Sequence, residues 1–221
     1  MSARASARSR DIAAVVLAAG SSSRLGTPKQ LLRYRGETLL HRTVRVALAA
    51  GLDPVHVVLG CSAPVVGAAL EDLGSRVTTV FNRDWQTGMG SSLARGIASL
   101  PGAGPHACRE PGADVPVASE LGAALVLVTD QPHVSQALLA EIAAAFRTGG
   151  APLVASRYAG GALGVPALFA RRYFPELTRL TGDRGARALF TRHRDDLLTV
   201  AFPEGDLDID TPAAAAALDS E

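Results

Sequence analysis

The chain of 221 residues is 48% hydrophobic and 19% charged. That is enough apolar material to bury a sizeable core, so disorder is excluded as a general description. Its 22 Lys and Arg against 21 Asp and Glu leave a formal charge of +1; no global field exists to hold a polyanion such as nucleic acid, and an anionic ligand must be gripped locally.

The chain opens with Met1–Arg10, rich in Arg and Ser and without an acid; residues 1–10 are expected to be a disordered terminus, followed by a single domain over 11–221. Ile12–Ala18 is a continuous apolar run, the pattern of a parallel strand buried on both faces. Glu37–Ala50 places Leu40, Val44, Ala47 and Leu48 at helical spacing, and Gly51 with Pro54 stops that helix before a strand at Val55–Leu59. The alternation continues with a helix near Ala63–Leu73, a strand at Val77–Phe81, a helix at Ser91–Leu100 and a strand at Ala123–Val128. Between Pro101 and Gly122 the composition turns to Pro, Gly and Ala without a period, so 101–122 is read as a mobile surface insertion. A helix at Val134–Phe146 follows, then a strand at Leu153–Ser156, a glycine-rich stretch at Gly160, Gly161 and Gly164, a helix near Ala186–Arg192, a strand near Leu197–Phe202 and a terminal alanine helix. Strand and helix alternating in this way define an α/β fold with a mostly parallel sheet. The longest apolar stretches are shorter than the roughly 20 residues that cross a bilayer. Two distant cysteines, Cys61 and Cys108, match neither a zinc spacing nor a disulfide framework. No membrane association is expected, and the cytoplasm is the expected compartment.

Residue usage is uneven in an informative way. Of the 22 basic residues 21 are Arg, and the one lysine is Lys29; Asn82, Trp85 and Met89, rare types in this chain, fall within eight positions. A lysine retained against such a bias suits a site that wants a compact, mobile ammonium rather than a planar fork. Lys29 ends the segment Leu17-Ala18-Ala19-Gly20-Ser21-Ser22-Ser23-Arg24-Leu25-Gly26-Thr27-Pro28-Lys29, which directly follows the first strand. Small residues leave backbone amides accessible to form a nest for phosphate oxygens, with Gly20 and Gly26 able to take positive φ. From Ile12 to Gly36 there is no acid, while Arg24, Lys29, Arg33 and Arg35 add four positive charges, so a triphosphate is the natural guest. The spacing is not that of a P-loop, whose lysine directly follows its second glycine. A GxGxxG dinucleotide fingerprint is also absent, as are HExxH and GxSxG.

Asp130, in Leu125-Val-Leu-Val-Thr-Asp130-Gln131-Pro132, lies just past the carboxyl end of an apolar strand, where open α/β sheets bind ligands. It reads either as a metal carboxylate, since Mg²⁺ needs only one or two acids beside phosphate and water oxygens, or as a turn or capping aspartate. Asp208 and Asp210 share a face if their stretch is extended; Asp210, before Thr211-Pro212, is the preferred second carboxylate, or a helix cap. Asn82 to Leu93 follows a strand and opens a helix whose amides and hydroxyls can face an anion or ribose; Trp85 and Met89 in it read as packing residues. Gly182-Asp183-Arg184-Gly185-Ala186-Arg187 precedes another helix, and its arginines serve either an acceptor phosphate or an exposed face. None of the five histidines forms a ligand or triad arrangement; His133, just beyond Asp130, is the one closest to the site in sequence.

Taken together, Leu17-Ala18-Ala19-Gly20-x-Ser22-x-Arg24-x-Gly26-x-x-Lys29-x-Leu31-Leu32 resembles the signature of the MobA/MocA-like nucleotidyltransferases, which make molybdenum cofactor dinucleotides. The Asn82-x-x-Trp85-x-x-Gly88-Met89-x-x-Ser92 stretch is similar to a second family segment. The resemblance covers nearly the whole chain after Arg10 and is nearest to the molybdenum cofactor cytidylyltransferases. It implies a Rossmann-like three-layer αβα fold of the nucleotide-diphospho-sugar transferase type. It implies nucleotide contact by Leu17, Ala18, Ala19, Gly20, Ser22, Gly26, Lys29, Asn82, Ser91 and Ser92, and catalytic roles for Lys29, Arg24 and Asp130. It further implies Mg²⁺ on Asp130 and Asp210, and acceptor binding by Arg184 and Arg187. The implied reaction transfers CMP from CTP to the phosphate of molybdenum-pterin, releasing pyrophosphate, with a molybdoenzyme or its chaperone as a further partner. Cytidylyl transfer rests on Ala19, where guanylyl relatives carry Gly, and on Asp130-Gln131-Pro132 with Asp210-Thr211-Pro212. Guanylyl transfer, transfer to a sugar or alditol phosphate, and a non-catalytic cofactor chaperone are the alternatives.

Overall fold

The computed structural model describes residues 11–22, 25–103, 121–182, 185–207 and 209. The expected terminus over 1–10, most of the 101–122 insertion, the terminal alanine helix, and Arg24, Arg184 and Asp210 lie outside the described residues.

The main sheet contains β1 (Ile12–Ala18), β4 (Val55–Leu59), β5 (Val77–Phe81), β6 (Ala123–Val128), β7 (Leu153–Arg157), β8 (Leu163–Ala170) and β9 (Leu197–Ala201), in the order β5-β4-β1-β6-β8-β7-β9. A two-stranded hairpin, β2 (Arg33–Tyr34) and β3 (Glu37–Thr38), stands apart. All seven residues of β1 are buried, as its unbroken apolar run requires of a strand covered on both faces. Alternate side chains of β1 enter two different cores. Ala14 and Val16 pack with Leu40 and Val44 of α1 (Leu39–Ala49) and with Leu139 and Ile142 of α4 (Gln136–Arg147). Ala13 and Val15 pack instead with Leu93 and Ile97 of α3 (Met89–Ala98), and with residues of α5 (Phe174–Leu177) and α6 (Arg187–Arg192). Helices therefore cover both faces, giving the three-layer αβα fold. No helix among the described residues is long and apolar enough to cross a membrane.

Several elements differ from the sequence expectation for local reasons. The first helix begins at Leu39, because Glu37 and Thr38 pair with the preceding strand and Thr38 then caps the helix, its hydroxyl accepting from the His41 amide at 3.2 Å. Ser135 caps α4 in the same way, through the Leu138 amide, so that helix starts at Gln136 instead of Val134. The helix expected to reach Leu73 stops early: α2 spans Ala63–Ala68, and a 3-10 stretch over Glu71–Arg76 is broken at Gly74. The helix expected from Ser91 starts earlier, at Met89 after Gly88.

The largest difference is β8, which lies in the sheet interior and is antiparallel to both neighbours. Pro166 hides it in the sequence, since proline cannot donate to a sheet ladder. It is accommodated where the β7–β8 register shifts between Ala155 and Ser156, and the Ser156 hydroxyl donates to the Pro166 carbonyl at 2.7 Å.

Candidate active site

Chain order and spatial order part company at β1. From β1 the chain moves outward through β4 and β5, then returns to lay β6 on the other side of β1. Parallel sheets open a crevice at such a reversal, beyond the carboxyl ends of the strands. Leu17 pairs with Val128, so the loop after β1 and the loop after β6 leave the sheet level with one another.

The first loop is shaped by its own polar groups. Leu17, Ala18 and Ala19 are buried as the strand ends, and Gly20 and Ser21 emerge exposed. Among the described residues of this loop, the left-handed positions are Ser22 (φ 52°) and Gly26 (φ 69°); Gly20, expected to share that role, does not take it. The Ser22 hydroxyl accepts from the Lys29 amide at 2.8 Å and the Ser22 carbonyl from the Leu25 amide at 2.9 Å, folding the loop back on itself. Lys29 opens a short 3-10 turn, Lys29–Leu31. Gln30, 1% exposed, donates from Nε2 to the carbonyls of Ala18 and Gly20, both at 3.0 Å. That side chain fastens the lysine turn to the end of β1. Sequence reading passed over Gln30, since one glutamine beside a basic residue carries no pattern.

The second loop brings Asp130 to Lys29. Nζ of Lys29 donates to Oδ2 of Asp130 at 2.5 Å, with the two side chains 19% and 16% exposed. At an effective dielectric of about 20, opposite charges this close attract by on the order of 5 kcal/mol, much of which offsets their desolvation. The other carboxylate oxygen, Oδ1, is buried and has no hydrogen-bond partner among the described residues. Asp130 does not cap α4, whose cap is Ser135.

Each following residue of this loop is fixed by a different element. Gln131, 4% exposed, donates to the Tyr158 hydroxyl at 3.0 Å and to the Gly205 carbonyl at 2.7 Å. The Pro132 carbonyl accepts from Nε of Arg42 at 2.8 Å. His133 meets the edge of Tyr34, whose ring also carries the guanidinium groups of Arg35 and Arg42. A loop held at consecutive residues is the kind of support that keeps a charged group in one orientation. Gln131 was visible beside Asp130, but Arg42 lies in the middle of a helix and gave no signal.

The third segment, after β5, is used mainly for its own architecture. Asn82, 3% exposed, donates from Nδ2 to the hydroxyls of Ser91 (2.9 Å) and Ser92 (3.1 Å) and accepts from the Asp84 amide at 3.0 Å. Ser91 donates onward to the carbonyls of Asp84 and Gly88, both at 2.9 Å. The Gly90 amide at the start of α3 donates to Gly182 at 2.8 Å. The amide and hydroxyls expected to face a ligand thus have protein partners, and the segment carrying Gly182, Gly185 and exposed Arg187 is drawn beside α3. Trp85 packs against the second core as expected, whereas Met89 is 53% exposed, contrary to its reading as a packing residue.

Gly60, at the end of β4, was also missed. A Cβ there would lie 2.7 Å from the Ala19 carbonyl oxygen, 2.8 Å from the Ala19 Cβ and 2.6 Å from the Trp85 Cβ. Only glycine lets the loops after β1, β4 and β5 meet at this point.

The loops after β1 and β6 thus bring an ammonium and a carboxylate together at the reversal of the sheet. Comparison with known proteins gives the class, a nucleotidyltransferase. A family model described as the MobA-like NTP transferase domain matches residues 14–197, and the chain belongs to that family. It is 43% identical over 89 residues to a nicotine blue oxidoreductase of Paenarthrobacter nicotinovorans, covering 40% of this chain and 43% of that protein. It is 53% identical over 58 residues to a probable molybdenum cofactor guanylyltransferase of Opitutus terrae, covering 26% and 27%; the chain thus spans less than half of either relative. Among solved structures, Rv0371c of Mycobacterium tuberculosis H37Rv superposes with a TM-score of 0.73 at 33% identity, covering 96% of this chain and 99% of that one. The same protein has also been solved in complex with manganese.

The residues present fit a divalent cation. Asp130 offers a buried oxygen that has no partner among the described residues. No group of three or more His, Cys, Asp or Glu able to hold a metal occurs among the described residues, so other ligands would come from elsewhere, as in sites that take Mg²⁺ together with phosphate oxygens.

Proposed function

We propose that this nucleotidyltransferase moves CMP from CTP to the terminal phosphate of molybdenum-pterin, releasing pyrophosphate, as a single catalytic domain over 11–221 in the cytoplasm. The observation that carries the reading is Lys29 and Asp130 facing each other across the crevice, with Asp130 Oδ1 left over for a cation. Two anions must meet for this reaction, and like charges about 4 Å apart repel by roughly 4 kcal/mol at an effective dielectric of 20. The loop amides around Ser22 and Gly26 receive the phosphate chain, and Lys29 neutralises charge that gathers on the departing pyrophosphate. Asp130 holds Mg²⁺, which supplies charge neutralisation and polarisation at the phosphoryl oxygens when bound; Asp210 is assigned as a second carboxylate. Arg24 is assigned to the triphosphate, and Arg187 with Arg184 to the acceptor phosphate. An acceptor phosphate is already ionised near neutral pH, so the scheme needs no general base. The choice of cytosine rests on the family pattern at Ala19 and Asp130-Gln131-Pro132. A molybdoenzyme or its chaperone would take the product.

The test is pyrophosphate release with each of the four nucleoside triphosphates, with and without molybdenum-pterin and Mg²⁺. CTP-dependent release that requires the pterin is expected. Release with GTP in its place moves the assignment to guanylyl transfer, and release with a sugar or alditol phosphate replaces the acceptor. No release under any condition points to a cofactor carrier.

A further inference from the structure

A backbone amide can point at a ligand only if the carbonyl of the same peptide points elsewhere. A trans peptide holds its C=O and N–H in one plane and in nearly opposite directions, so a carbonyl fixed inside the protein aims the N–H of the next residue the other way. On the reading that the bend after β1 receives the phosphate chain, we infer that Gln30 is a positioning residue for it. Gln30 turns the carbonyls of the bend inward, so that phosphate oxygens meet donors only.

Three consecutive carbonyls of the bend have protein donors. Those of Ala18 and Gly20 each accept from Nε2 of Gln30 at 3.0 Å, and that of Ala19, between them, accepts from the Cys61 amide at 3.1 Å. The Cys61 contact aims the Gly20 N–H, and the Gln30 contact at Gly20 aims the Ser21 N–H. Gly20 and Ser21 are exposed, and their amides, with that of Ser22, donate to none of the described residues. Successive outward amides beside a left-handed residue, here Ser22 (φ 52°), are the makings of an anion nest.

Glutamine suits this task. Its amide nitrogen carries two protons, enough to hold both carbonyls at once, and at 1% exposure Gln30 is shielded from the water that would compete for them. Being uncharged, it acts in the same way whichever acids surround Lys29. Without it the peptide joining Gly20 to Ser21 loses its inward anchor. Glycine on one side lets that peptide turn over, and a carbonyl oxygen then stands where the Ser21 amide stood and repels phosphate.

The experiment titrates the full chain with inorganic tripolyphosphate, reading affinity by calorimetry and the backbone amides by NMR. In the wild type the Gly20 and Ser21 amide protons are expected to move downfield as they donate to the anion. Gln30→Met, close in length but without the two protons, is expected to bind about tenfold or more weakly. At saturation its Ser21 amide should no longer move, while that of Gly20, aimed by Cys61, still does. Thermal melting checks the fold, and Gln30→Glu, of the same shape, is the second variant should Gln30→Met not fold. Unchanged affinity with the Ser21 movement retained overturns the inference and leaves the bend as the phosphate site. Equal loss at both amides, the mark of a general collapse of the bend, overturns it as well. So does tripolyphosphate binding to the wild type that moves neither amide, which needs no variant. If neither tripolyphosphate nor CTP binds the wild type, the phosphate reading beneath it falls.

Discussion

In the half of the sheet formed by β5, β4, β1 and β6 every strand runs the same way, and the loops at their carboxyl ends converge on one crevice. In the other half β8 is reversed between β6 and β7, and its contribution to the site is indirect, through Tyr158 and Gly205 holding Gln131. Of the second half only β8 is reversed and delivers its following loop to the opposite end; β7 and β9 run with β6 and send Tyr158 and Gly205 to the crevice end, where they hold the Asp130 loop from behind. The first half carries the proposed chemistry and the second braces it.

The sharpest way to break this comparison is inside the parallel half, where β1 meets β6. Lys29→Ala and Asp130→Ala are each expected to lower the turnover number for pyrophosphate release by about 100-fold or more, the scale seen when one electrostatic contact to a reacting group is lost. Lys29→Arg should recover only part of the loss, because a planar fork replaces a compact ammonium. Turnover near that of the wild type in Asp130→Ala would remove the carboxylate from the mechanism.

A smaller effect separates gripping from bracing. A Cβ at Gly60 would run into the Ala19 carbonyl, and one at Gly205 would lie 2.2 Å from the Tyr158 ring, itself held by its hydroxyl, which donates to the Val165 carbonyl at 2.7 Å. Gly60→Ala and Gly205→Ala should each cost about 1–3 kcal/mol in denaturant unfolding. Only Gly60→Ala should also weaken CTP binding, since only it displaces the loop after β1; equal loss of CTP binding in both would erase the distinction between the halves.

The smallest effect concerns His56 on β4. Burial pushes its imidazole pKa below the ordinary value of 6.5. The Ser99 hydroxyl donates to Gly96 and so presents its oxygen to His56 Nδ1 at 2.8 Å, which places the proton on that nitrogen. The unfolded chain binds the proton more readily than the folded one, so stability is full above about pH 6.5 and declines as pH falls below it. The slope approaches at most about 1.4 kcal/mol per pH unit. His56→Gln should flatten the pH dependence of unfolding over that range; an unchanged slope would assign it to other groups.

The parallel half was legible in the sequence because its strands are short apolar or β-branched runs followed by glycine, asparagine or a Thr-Asp pair, and such runs need no partner to be recognised. The bracing half was less so. Leu163–Ala170 holds a glycine and a proline that argue against an interior strand, and only the register shift beside Ser156 makes room for them. Candidate residues divide the same way. Lys29 and Asp130 stand out by rarity and by position at a strand end, whereas Gln30, Arg42 and Gly60 matter through contacts with residues distant in the chain or through a space that no side chain can enter.

The amino-acid order alone settled the strands other than β8 and the β2–β3 hairpin, that a small-residue bend follows the first of them, and that an acid follows β6, since these depend on local periodicity and composition. That the ammonium and carboxylate become partners 101 positions apart in sequence was decided only when β6 returned to pair with β1. So was the burial of the other carboxylate oxygen without a partner among the described residues, because burial and ion pairing are properties of the assembled sheet and of no single segment.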